Sequence, residues 1–304
     1  MKIYFDYPLI KKPWGGGAHF LVNFANFLKE KGHKIVLKLK KDIDLIFISN
    51  NTKQIDSKII NYKKKNPKTK VLHRINECDK RKNTNHVDNL VFKKNELADQ
   101  TIFISKWLAE YYIKKGFNKE YSVIYNGCNS KYFYPKIDKR LGDQVKLVTH
   151  HWSSHWLKGF DIYTKLDEIL PDLKNITFTY IGRYNQQYKP KNTKLIPPLY
   201  GIKLGEELRK HDLYLTASRW EPCGMHHIEG ASCGLPVLYH IDGGGINELC
   251  KNYGLNYHDI DTLLKSITQI IKSYPEYHKK IQYDFLSSER CNMEFFREIV
   301  DLCK

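Results

Sequence analysis

Two glutamates eight positions apart, Glu221 and Glu229, stand in the run EPCGMHHIEG at residues 221–230. A carboxylate pair of this kind can ligate a metal, share acid and base duties, or clamp hydroxyl groups, since each carboxylate accepts two hydrogen bonds. Pro222 and Gly224 mark a turn between them, and a helix starts just beyond. The amides of Gly224, Met225 and His226 then fall where the open N–H groups of a helix N-terminus face an anion. Upstream, THHWSSHWLKGFD (149–161) places Lys158 before Gly159 at another helix start, where an ammonium reinforces phosphate binding. Its three histidines suggest a metal, but His150 and His151 are neighbours on a strand end and point to opposite faces, and His155 falls in a loop. No metal is expected. WGGGAHF (14–20) offers Gly16 and Gly17 for close backbone approach to a ligand. LHRIN (72–76) and IGRYN (181–185) end strands with His73 and Arg74 and with Arg183. The two DID runs, at 42–44 and 259–261, lead into an apolar strand and open a helix, so both read as structural.

These groups need a scaffold that brings strand ends together. Short apolar runs alternate with helical periods: KIYFDY, then a glycine loop and a helix stopped by Gly32, HKIVLKL, DLIFISN, SKIINYKKKN, KVLHRIN, DQTIFIS, a helix stopped by Gly116, and EYSVIYNG. The rhythm restarts after the linker-like YFYPKIDKRLGDQ (132–144) with VKLVTHH, ITFTYIG, LYLTAS and PVLYH, each separated by a helix. From about Asp261 onward the chain reads as helices, broken at Pro275. The alternation predicts two doubly wound α/β domains with parallel sheets. Ligands in such sheets bind beyond the carboxyl ends of the strands, so two of them would face a central cleft.

The length of 304 residues suits two domains. The net charge of +17 is unevenly spread: residues 1–140 hold 30 Lys+Arg and 13 Asp+Glu, residues 141–304 hold 20 of each. An AT-rich genome enriches lysine without any function, but the neutral second half argues against bias alone. The first half is expected to meet something anionic. Nucleic acid is the weakest candidate, for the chain has no zinc-finger spacing, aromatic RNP-like motif or basic heptads. Seven scattered cysteines, with no C-x-x-C pair, read as reduced thiols. No signal peptide is recognisable and no apolar run approaches the roughly 18 residues of a membrane span. A cytoplasmic protein, in one version peripheral to a membrane, is expected.

The run SRWEPCGMHHIEGASCGLPV resembles the E-x7-E signature of family 4 glycosyltransferases, with Ser218, Glu221, Pro222, Gly224, Glu229, Gly234, Pro236 and Val237 in register. GGGAHFLVNFANFLKEKGHKIV and LADQTIFISKWLAEYYIKKGFNKEYSVIYNGCNSKYFYP resemble two further family segments, so most of residues 1–250 is covered. The resemblance implies a GT-B fold of two Rossmann-like domains: residues 1–138 for the acceptor, 139–285 for the nucleotide-sugar donor, and a helix at 286–304 returning to the first domain. It implies a retaining, metal-independent transfer of a hexose from a UDP- or GDP-linked donor to a glycan, glycolipid or glycoprotein, the acceptor or its membrane surface being anionic. No cofactor is implied. Glu221 then meets the donor sugar, Glu229 the ribose, and Lys158 the diphosphate. The first glycine loop (Gly16, Gly17) and the amides at Gly224, Met225 and His226 hold sugar and diphosphate, and His73 lies near the sugar. Relatives carry G-R-L before the lysine, its arginine on the diphosphate; here the strand ends in THH. His150, His151 or Arg183 takes that role, or phosphate binding is weaker. An inactive nucleotide-sugar binding module and a basic nucleic-acid-binding protein are the alternatives.

Overall fold

The structure, a computed structural model, describes residues 1–10, 15–136 and 140–304. The boundary expected between residues 138 and 139 lies outside them. The chain divides into two compact units: Gly17–Asn126 and Glu289–Lys304 with the described residues of Met1–Lys12, and Gly127–Ser288 with those of Pro13–Gly16.

In chain order the first unit is built from β1 (Lys2–Phe5), α1 (Gly16–Glu30), β2 (Lys34–Val36), β3 (Leu45–Ile48), α2 (Ser57–Lys65), β4 (Lys70–Ile75), α3 (Asp79–Lys82), α4 (Val87–Asn95), β5 (Gln100–Phe103), α5 (Lys106–Ile113) and β6 (Ser122–Val123). The strands form one parallel sheet in the order β2-β1-β3-β4-β5-β6. β3 is apolar and buried at every position, as a strand covered on both faces must be. One face is covered by α1, whose Phe20, Leu21, Phe24, Ala25 and Leu28 recur at helical spacing and are buried. Phe24 packs on Phe5, Phe20 and Phe47 with ring centres 5.5–6.2 Å apart. Each such ring contributes about 2–3 kcal/mol by burial. Gly32, at φ +81°, ends the helix while the His33 N–H returns to the Leu28 carbonyl at 2.9 Å. The other face carries α2, started by the Asp56 carboxylate on the Lys58 N–H.

The second unit continues with β7 (Val145–His151), α6 (Phe160–Ile169), β8 (Ile176–Gly182), β9 (Lys194–Ile196), α7 (Gly201–Leu208), β10 (Leu213–Thr216), α8 (Met225–Ser232), β11 (Val237–His240), α9 (Gly245–Cys250), β12 (Gly254–Tyr257), α10 (Ile260–Lys272) and α11 (Tyr274–Lys279). Its parallel sheet runs β12-β11-β10-β7-β8-β9. β7 therefore lies mid-sheet; the chain moves outward through β8 and β9, then crosses back to β10. The strand order reverses between β7 and β10, and that is where a doubly wound sheet opens a crevice at its carboxyl edge.

The last helix, α12 (Ser288–Leu302), buries Cys291, Phe295 and Ile299 in the α1 core of the first unit. Both DID runs are structural: Asp44 accepts the Lys2 N–H at 2.6 Å, and Asp259 forms a capping box with Thr262 at the start of α10. Pro275 sits in the first turn of α11. Among the described residues, five elements escape the periodicity: α3, α4 and α9 and the edge strands β9 and β12. No described helix is long and apolar enough to cross a membrane.

Candidate active site

The carboxyl ends of β7 and β10 carry the two glutamates and their partners. Lys158 closes a 3-10 turn (Trp156–Lys158) and its ammonium pairs with Glu221 Oε1 in the loop after β10. Both side chains are buried, so the pair neutralises two charges that would be costly alone. The loops that bear them are stitched together. The Arg219 N–H donates to the Leu157 carbonyl at 3.0 Å. The Arg219 guanidinium grips Asp161 through two bonds of 2.9 and 2.6 Å. Burial works to raise the Asp161 carboxyl, but the Arg219 bonds prevail and hold it below the usual carboxylate range.

Gly159 lies between these bonds at φ +93°, and a Cβ there would stand 2.1 Å from Ala217 Cβ and 2.4 Å from its carbonyl oxygen. Gly159→Ala is expected to cost about 3 kcal/mol, from the left-handed backbone and from overpacking together. Its urea midpoint should fall accordingly; an unchanged midpoint would show that the 217–221 loop moves aside freely.

On its other side Glu221 is fixed by a triglycine loop. Trp220, itself at φ +53°, donates to the Asp242 carbonyl at 2.7 Å, Glu221 donates to Gly243 at 3.2 Å, and the Gly245 N–H donates to the Glu221 carbonyl at 2.8 Å. Gly244, at φ +71°, would bring a Cβ within 2.9 Å of that carbonyl. Sequence reasoning missed residues 243–245, although three glycines after a strand are the same signal that singled out residues 15–17. It also missed Arg219 and Asp161.

Gly224 caps α8, which begins at Met225. Glu229 lies one turn in, buried, with Oε2 2.7 Å from His150 Nε2. His226 folds its ring back over Gly224, where a Cβ would come within 2.5 Å of it, and meets Thr216 Oγ1 at 2.9 Å. Burial holds His226 neutral, far below its ordinary pKa. His227 is wholly buried with Nδ1 3.4 Å from Cys250 Sγ, and Nε2 has no hydrogen-bond partner among the described residues. His150 and His151 do diverge. His151 is buried with Nε2 2.9 Å from the Tyr163 hydroxyl, and burial, then the Lys158 charge, keeps it neutral. It offers no cation to a phosphate. Arg183, beyond the end of β8, is exposed and stacks 4.2 Å from the centre of the Trp152 ring. His155 caps the 3-10 turn through Nδ1 on the Leu157 N–H at 3.3 Å.

Three candidates come early in the chain, Gly16 in the second unit and Gly17 and His73 in the first. Gly16 and Gly17 open α1, and a Cβ on Gly17 would only touch Asn76 at 3.5 Å. His73 points inward from β4: Nδ1 is 3.0 Å from Asn95 Oδ1 and Nε2 2.6 Å from Asn51 Oδ1. Burial pushes its pKa down to about 3. With both nitrogens engaged inside the unit, His73 presents none to a sugar. Its neighbour Arg74 is equally buried, bonded to Ser49 and Asn126 and set 4.0 Å from the Phe20 ring centre. Among the described residues, no group of three His, Cys, Asp or Glu side chains is placed to hold a metal ion.

The family described as "Glycosyl transferases group 1" matches residues 172–285. No curated protein matches the sequence. Among solved structures, sucrose-phosphate synthase from Thermosynechococcus elongatus is similar over 99% of this chain and 98% of that one, with TM-score 0.77 and 14% identity. Anabaena HepE in complex with UDP and glucose is similar over 99% and 100%, with TM-score 0.76 and 16% identity. A glycosyltransferase from Rickettsia africae ESF-5 covers 100% and 98%, with TM-score 0.72 and 14% identity. Two doubly wound parallel sheets with these likenesses define the GT-B fold. The match to the group 1 model falls in the second unit, in keeping with the resemblance to family 4.

Proposed function

We propose that the chain is a retaining glycosyltransferase that moves a hexose from a nucleoside-diphosphate sugar to a glycan, glycolipid or glycoprotein acceptor without a metal ion. The observation that carries this reading is the placement of Lys158–Glu221, the α8 N-terminus and Glu229 around one strand-order reversal. A donor laid across it meets one carboxylate at each hydroxyl-bearing end and positive groups at the diphosphate. Glu221 holds the transferred sugar, Glu229 the ribose, and Lys158 with the Gly224, Met225 and His226 amides the diphosphate. Charge grows on the leaving diphosphate as the glycosidic bond breaks, so the ammonium and amides act most strongly at the transition state. The acceptor hydroxyl attacks from the face the diphosphate leaves, and a leaving-group oxygen takes its proton. This route asks nothing of His73 or His151, which we read as structural. The comparison with HepE, solved with UDP and glucose, supports a nucleotide-sugar donor.

The acceptor, or the surface that carries it, is anionic in this reading. Lys38, Lys40, Lys41, Lys58, Lys64, Lys65 and Lys68 are exposed on α2 and the segments around it, and the Tyr62 hydroxyl, accepting the Ile43 N–H at 3.0 Å, packs α2 against one of those segments. Among UDP-, GDP- and ADP-glucose, at least one should raise the melting temperature in proportion to its affinity. Transfer should persist in EDTA and weaken with added salt. No stabilisation by any of the three, or activity that collapses in EDTA, would overturn the reading.

A further inference from the structure

His150, at the carboxyl end of β7, turns its ring to Glu229. The backbone N–H of His150 donates to the Tyr214 hydroxyl oxygen at 3.1 Å. That oxygen also lies 3.1 Å from His150 Nδ1 and 3.4 Å from the His150 carbonyl. Nε2 stands 2.7 Å from Glu229 Oε2, and a carboxylate oxygen accepts, so Nε2 carries a proton and donates while Nδ1 faces the Tyr214 hydroxyl. Burial raises the Tyr214 pKa far above its ordinary value, which keeps the hydroxyl a donor. Tyr214 is in turn held by Gly230 on α8, where an added Cβ would strike its ring at 2.2 Å.

We propose that His150 is a positioning residue: held by Tyr214, it orients the Glu229 carboxylate so that Oε1 is presented to the donor ribose. The proposal rests on the reading of Glu229 as the ribose clamp. The ring serves nucleoside recognition, so it governs ground-state binding rather than the rate of bond cleavage. Substituents separate the two ring nitrogens. The amide nitrogen of glutamine reaches where Nε2 stands, whereas asparagine's reaches only as far as Nδ1.

The test measures calorimetric dissociation constants for UDP and for 2′-deoxy-UDP, and the rate of UDP-glucose hydrolysis at saturation, in the wild type and in His150→Gln, His150→Asn, Tyr214→Phe and Glu229→Gln. GDP with its 2′-deoxy form and GDP-glucose, or the ADP set, replace these if the melting panel selects them. His150→Asn is expected to weaken UDP binding about tenfold and to erase the preference for UDP over the deoxy form, with the hydrolysis rate within threefold. His150→Gln should restore both, and Tyr214→Phe should show a smaller loss in the same direction. If Glu229→Gln binds UDP as the wild type does, the ribose reading itself fails. If Glu229→Gln weakens binding while His150→Asn keeps the full preference, the positioning role alone is overturned. Should His150→Asn not fold, Tyr214→Phe decides: an unaltered preference there rejects the proposal.

Discussion

Glu221→Gln and Lys158→Met are each expected to lower kcat/KM for sugar transfer by about 10²–10³-fold, the range seen when one preorganised charge-stabilising group is removed. The two should differ in how the loss divides. Lys158 meets charge that exists fully only as the diphosphate leaves, so its loss should fall mainly on kcat. Glu221 holds hydroxyls already in the ground state and should move KM as well. Each substitution also strands a buried charge, because the two side chains are paired and nearly inaccessible. Breaking such a pair costs about 3–5 kcal/mol, so stability must be measured alongside activity. The double variant Lys158→Met with Glu221→Gln removes both charges. It should recover much of the stability and none of the activity. Full turnover by either single variant would sink the assignment, as would a double variant with wild-type rates.

The site was legible where its chemistry is local in sequence. The turn of Pro222 and Gly224 and the helix beyond it can be read from adjacent residues, as can Lys158 before Gly159. The pairing of Lys158 with Glu221 spans 63 positions and could not. It follows from β7 lying beside β10, an adjacency produced by the crossover after β9. His73 shows the opposite limit. A histidine at a strand end reads as available, but its availability is decided by Asn51 and Asn95, each 22 residues away. Desolvation inside a polar pocket leaves no trace in the local sequence.

The fold was legible wherever apolar periodicity was strong, as in α1, β3 and β4. α4 has only a weak apolar stripe, and side-chain capping holds its start instead: the Asp79 carboxylate accepts the N–H groups of His86, Val87 and Asp88 at 2.9–3.1 Å. The N–H of Asp79 in turn donates to the Asp88 carboxylate at 2.9 Å. A reciprocal pair nine residues apart is not a recognised start signal, so neither α3 nor α4 declares itself in the sequence. β9 and β12 are edge strands of three and four residues, too short for alternation to declare them.

Acid should destabilise this protein steeply. His73, His151, His226 and His227 are buried and neutral, with burial the leading cause in each; His73 and His227 are held at about 3, the other two well below their ordinary value. Unfolding returns each ring to water, where it titrates near the usual 6.5. Their stabilising effect is therefore complete above that value and is lost as pH falls below it, because the unfolded chain binds up to four more protons. Asp6 opposes this: burial raises its carboxyl to about 6, so the folded state takes up that proton first as pH falls. Four protons against one leave a net loss on the order of 4 kcal/mol between pH 7.5 and 5.5. Urea unfolding across that interval should show the midpoint falling throughout. His227→Leu removes one of the four, and does so at a ring whose Nε2 has no hydrogen-bond partner among the described residues. The slope of stability against pH should then drop by about one proton. A wild-type curve that stays flat to pH 5.5 would mean that the rings reach solvent in the folded state.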